Sequence, residues 1–169
     1  MTIETIDEPS EALWRFSLAF YERPGVSDAL VALQDHRGCD VNLMLFSLWH
    51  GVSGRSRLTD KELVIADQIV RPIKAGIVKP LRALRRKLRS DTDADVQRLR
   101  EGVKALELKA ERVIQDRLAR LAGPPGSDAD PARRATAAHA NLALYLGPER
   151  TRSPEAATIR EALAAFVRG

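Results

Sequence analysis

The sequence predicts an all-α fold, a helical bundle containing a long helix or helical hairpin. Three observations carry this expectation. Apolar residues recur at three- and four-residue steps along almost the whole chain, no stretch alternates β-branched and polar residues at period two, and Gly or Pro interrupts the periodic runs at helix-sized intervals.

The elements follow in order. Ser10 is positioned to cap a first helix carrying Leu13, Trp14, Phe16, Leu18 and Phe20, which stops before Pro24-Gly25. A second helix runs from about Ser27 to Gly38, with Leu30, Val31 and Leu33 as its apolar residues. Asp40 can cap a third, which is apolar on nearly every side from Val41 to Trp49 and therefore belongs in the middle of the bundle. Thr59 and Glu62 have the spacing of a capping box, opening a fourth helix through Leu63, Ile65, Ala66, Ile69 and Val70. Pro72, Gly76 and Pro80 then predict a helix over 73–88 that is kinked or begun afresh near Pro80.

Beyond a turn at 90–93, Val96, Leu99, Val103, Leu106, Ala110 and Val113 form a short heptad stripe on a helix over 94–122. Unbroken, that helix would be about 43 Å long. Residues 123–128 read as a linker, followed by an alanine-rich helix from Pro131 and a last helix from Pro154. Because these two offer little bulky apolar surface, the expected organisation is a core domain over 10–122 and a linker with a peripheral, loosely docked helix pair over 123–169.

The chain has 169 residues, of which 44% are apolar and 30% charged, the balance of a single globular domain. Cys39 is the one cysteine, which excludes an intrachain disulfide and a cysteine-based metal centre. Residues 1–8 carry three acids and no base, unlike a secretory leader, and the apolar run 41–49 is too short to span a bilayer. The expected location is the cytoplasm.

No residue pattern supports catalysis. His36, His50 and His139 are scattered, there is no phosphate-binding loop, dinucleotide fingerprint or nucleophile elbow, and no aspartate-rich box could hold magnesium. No catalytic residue, cofactor or metal site is therefore assigned. Gly38, between the second and third helices, invites comparison with a helix-turn-helix DNA reader, but 41–49 is too apolar to present polar groups to base edges.

The net charge of +4 is unevenly spread. Segment 71–89 holds eight basic residues and no acid, leaving 19 basic against 23 acidic residues elsewhere. Within it Ile73, Ile77, Leu81, Leu84 and Leu88 form an apolar stripe, flanked by Lys74, Lys79, Arg82, Arg85, Arg86 and Arg89. These six cations could bind an acidic protein partner, or non-specifically nucleic acid or an anionic membrane surface, or could pair with Glu101, Glu107 and Glu111 on the long helix. A second candidate is a ligand pocket at Trp14, Asn42, Phe46 and Trp49, because a buried amide in so apolar a helix needs a partner. Capping the helix's own N–H groups is the structural account of Asn42.

The run Leu13-Trp14-x-Phe16-Ser17-Leu18 with Tyr21, Pro24 and Gly25, followed by Asp40-Val41-Asn42-Leu43-x-Leu45-Phe46 and Trp49, resembles an uncharacterised proteobacterial family of small helical proteins, a domain of unknown function. The resemblance extends over about 13–88 and implies no activity, cofactor or catalytic residue. The resulting expectation is a non-enzymatic interaction or regulatory protein that meets an acidic partner through 71–89. The alternative is a small-molecule or lipid-binding protein, enzymes included, with its pocket near Trp14, Asn42 and Trp49.

Overall fold

The structure, a computed structural model, describes residues 9–168; the acidic segment 1–8, on which the expectation of no leader rests, lies outside them. The chain is all-α, with no strand among the described residues. Its helices are α1 (Pro9–Tyr21), α2 (Val26–Arg37), α3 (Val41–Val52), α4 (Asp60–Ile73), α5 (Lys79–Lys87), α6 (Ala94–Ala122), α7 (Pro131–Thr151) and α8 (Pro154–Arg168). None is long and apolar enough to cross a membrane.

Local chemistry sets the boundaries. Gly38, at φ 66°, closes α2, where a side chain would be strained. Asp40 caps α3 by accepting from Leu43 N at 3.1 Å, Thr59 and Glu62 form the full capping box of α4, and Asp93 caps α6. Between α4 and α5 the helix is neither broken nor restarted. A π turn over Lys74–Val78 bridges them, with Lys79 N donating to Lys74 O. The extra residue turns α5 by about 100° relative to an uninterrupted helix, which aims its arginines at α6.

Helix α3 is the axis of the bundle, buried from Asn42 through Gly51 and packed on α1, α2, α4, α6 and α7. The C-terminal pair is not peripheral. Leu142, Leu146, Ile159 and Leu163 are buried in the same core as Leu13, Phe20 and Phe46. The small residues that made α7 look weak are what let it approach closely: a Cβ on Gly51 would lie 2.2 Å from Ala138 N. Asn141 adds a polar latch, donating to Ser47 O at 3.2 Å and accepting from Leu58 N at 2.8 Å. The segment before α7 is also fastened, since Gly126 N donates to Ser53 O and buried Arg55 donates to Gly123 O at 2.6 Å.

The heptad stripe on α6 is corrected as well. Val103 and Ala110 face inward, but Leu99, Leu106 and Val113 are exposed. The buried face runs through Val103, Glu107, Ala110, Ile114, Gln115 and Leu118, an apolar stripe interrupted by two polar residues that the bundle accommodates.

Candidate functional site

Helices α1, α2, α3, α5 and α6 enclose a groove of about 510 Å³. It unites residues that the sequence places in two separate candidate sites: Trp14 and Asn42 line it together with Arg82, Arg85 and Arg86. Two positional facts bring them together. Asn42 opens α3, the central helix, and the turned α5 lays its arginines beside α6.

The floor is a continuous chain of hydrogen bonds. Ser17 on α1 donates to Gln115 at 3.1 Å, Gln115 donates to Asn42 Oδ1 at 3.2 Å, and the Asn42 amide donates to Glu111. Arg82 bridges Glu111 at 3.2 Å and Glu107 at 2.9 Å, while Arg85 reaches Glu107 at 2.6 Å. Asn42 therefore does not cap α3; Asp40 performs that task, and the Asn42 amide serves α6 instead. Ser17, Asn42, Glu107 and Gln115 are all buried, so each needs the partners it has.

The two glutamates are driven in opposite directions. Burial pushes Glu111 above the usual carboxylate range, only partly offset by the Asn42 amide and Arg82. Burial also acts to raise Glu107, but hydrogen bonds from Arg85 and Arg82 outweigh it and hold Glu107 below that range. Counted around the groove, Arg82, Arg85 and Arg86 face Glu22, Asp35, Glu107 and Glu111. The cations are thus compensated, and the groove is not a bare anion trap.

Its rim is apolar. Leu18 (50% exposed), Tyr21, Val31 and Leu108 (55%) border the opening, with Trp14 and Leu45 deeper. Trp14 is covered on one face by the Arg112 guanidinium, 4.9 Å from its ring. Of the floor's arginines and their neighbour, Arg86 is the least committed, with a side chain 62% exposed and 3.8 Å from Asp35.

The other proposed site residues lie elsewhere. Phe46 is 1% exposed and packs on Trp49 and His50, and Trp49 stacks under Arg55 at 4.3 Å; neither lines the groove. The four-residue pocket of Trp14, Asn42, Phe46 and Trp49 is therefore not assembled, because α3 is buried all round and its aromatic residues face a different neighbour from Asn42. Lys74 pairs with Asp40. Lys79 and Arg89 are exposed, outside the groove. Glu101 pairs with Arg100 and Lys104 on its own helix rather than with α5. Cys39 is buried, and its thiol is pushed up mainly by burial. No cluster of three or more His, Cys, Asp or Glu side chains suited to a metal occurs among the described residues.

Ser17, Tyr21, Leu108 and Gln115 were missed by sequence reasoning. The available signal was Gln115, a polar residue four positions beyond Glu111 and eight beyond Glu107, a spacing that puts the three on one side of the helix.

No curated protein and no solved structure matches the chain. A family described as "protein of unknown function (DUF2390)" matches residues 12–118, a span that contains every residue of the groove and ends before α7. By that match over more than half its length, the chain belongs to this family of unknown function.

Proposed function

We propose that this protein is a non-enzymatic binding protein whose groove takes a small amphipathic molecule with an apolar body and a single anionic end. The observation that carries this reading is the pairing of an exposed apolar rim with a fully hydrogen-bonded polar floor in one groove. A ligand gains by covering Leu18, Tyr21, Val31 and Leu108, at roughly 25 cal/mol per Å² removed from water. Its anionic end goes to Arg86, the arginine least engaged by the protein's own acids.

The test uses Trp14 as reporter. In a Trp49→Phe background, titration with a fatty acid and with an aromatic carboxylate should change Trp14 fluorescence saturably. Leu18→Glu or Leu108→Glu should abolish the change while the melting temperature stays near that of the parent. Absence of saturable binding by both probes, checked by native mass spectrometry, would remove this reading.

A second reading is supported by the outer surface of the basic segment. Lys79, Lys87 and Arg89 are exposed and have no ion-pair partner among the described residues. An acidic protein would meet these cations rather than Arg82 and Arg85, and its binding would weaken steeply with salt. Heparin and anionic vesicles, run beside an acidic peptide, distinguish nucleic-acid-like and membrane binding from protein binding.

A further inference from the structure

Helix α6 has a second apolar stripe that the bundle does not use. Leu99, Leu106 and Val113 are 59%, 53% and 43% exposed, and they recur every seven residues. Seven residues fall about 20° short of two full turns, so the three side chains form one nearly straight line on the helix surface. The inward face, carrying Val103, Ala110, Ile114 and Leu118, is a separate stripe already buried by the rest of the chain.

We infer that this stripe is a self-association surface on which a second copy of the chain lays its own α6 antiparallel, with the two Leu106 side chains meeting on the two-fold axis. The stripe's symmetry and its end charges carry the inference. An antiparallel pair centred on Leu106 sets Leu99 against Val113 of the second copy, so all three apolar residues find apolar partners. The same register sets Asp95, one turn before the stripe, against Arg117 of the second copy, one turn beyond it, and two-fold symmetry makes this contact twice. Asp95 and Arg117 are both exposed; Asp95 meets Arg98 on its own helix, and Arg117 has no ion-pair partner among the described residues.

A parallel pair would instead oppose Asp95 to Asp95 and Arg117 to Arg117, so charge selects the antiparallel arrangement. From Asp95 to Arg117 the contact runs about 33 Å along the helix. Leu84 on the neighbouring α5 and Ile77 in the π turn before it are also exposed. The groove lies on the other flank of α6, where Leu108 faces it, so pairing leaves the groove open.

The full chain should sediment as a dimer at high micromolar concentration. Leu106→Glu should make it monomeric with unchanged helicity, since Leu106 is 53% exposed and lies outside the buried core. The register is tested separately in a Cys39→Ser background. Leu106→Cys should form a disulfide-linked dimer on mild oxidation, and Leu99→Cys should cross-link efficiently only when mixed with Val113→Cys. Asp95→Arg or Arg117→Asp alone should weaken the dimer at least several-fold, and the double reversal should restore it. A wild-type chain that stays monomeric, or a dimer insensitive to Leu106→Glu, overturns the proposal. A dimer in which Leu99→Cys links to itself as well as Leu106→Cys does overturns the antiparallel register.

Discussion

Asn42 and Glu111, 69 positions apart, are joined side chain to side chain across the α3–α6 contact. That bond links the central helix to the acidic pair that receives Arg82 and Arg85, and Gln115 and Ser17 extend the link to α1. Four helices therefore share one polar network inside the bundle. Such a network is strong while complete, and each member it loses strands a buried polar neighbour.

Asn42→Leu should cost about 1–3 kcal/mol, the penalty for stranding buried partners, because Glu111 and Gln115 each lose a hydrogen bond. Gln115→Leu should cost a similar amount, and the double substitution should cost less than the sum, since the pair shares one bond. Urea unfolding of the three variants measures this directly. Full additivity would show that Asn42 and Gln115 act independently.

The opposed glutamates make a pH prediction with two signs. Glu111 has a raised folded value, so its contribution is present below the usual glutamate value of 4.5 and is lost as pH rises through the folded value. Glu107 is depressed, so its contribution is present above 4.5 and is lost as pH falls through its folded value. Relative to wild type, Glu111→Gln should become progressively more favourable as pH rises from acid to neutral, and Glu107→Gln progressively less so. Parallel pH profiles of melting temperature for the three proteins would contradict the assignment.

Much of the fold was legible because its signals are local. Asp40, Thr59 with Glu62, and Asp93 lie within three residues of the groups they cap, and α6 begins and ends where its sequence indicates. The buried face of α6 was not legible, because Glu107 and Gln115 interrupt it and their partners arrive from α5, α3 and α1. The weight of α7 was hidden for a different reason. Side-chain bulk measures burial poorly where Gly51 meets Ala138 backbone to backbone. As for the candidate site, Trp14, Asn42 and the arginines could be named singly, but their meeting in one groove depends on the π turn: Pro72, Gly76 and Pro80 mark an interruption there without giving the direction in which it turns α5.

Truncation after Gly123 should abolish cooperative unfolding, because it removes Leu142, Leu146, Ile159 and Leu163 from the core and uncovers one side of α3. Gly51→Ala is the milder version. Its methyl group would overlap the α7 backbone, and overpacking of this kind costs about 1–3 kcal/mol, more where backbone must move. Circular dichroism with thermal melting reads both. A cooperatively melting truncated chain would restore the peripheral view of the C-terminal helices.

Arg82→Glu and Arg86→Glu should separate stability from binding. Arg82 is 19% exposed and contacts Glu107 and Glu111, so reversing it confronts the buried Glu107 and the largely enclosed Glu111 with a third acid. Breaking a buried pair costs about 3–5 kcal/mol, and the loss here should approach that range because Glu107 is buried and Arg82 largely so. Arg86, 62% exposed and 3.8 Å from Asp35, belongs to the class of surface pairs worth about 0–1 kcal/mol. Arg86→Glu should therefore leave the urea midpoint nearly unchanged while weakening an anionic probe in the groove. Comparing the carboxylate with its neutral alcohol isolates the charge effect: the alcohol should bind both proteins alike, since it needs only the apolar rim. If the two reversals destabilise equally, Arg86 is part of the structural network, and the anionic end of the ligand must be placed elsewhere in the groove.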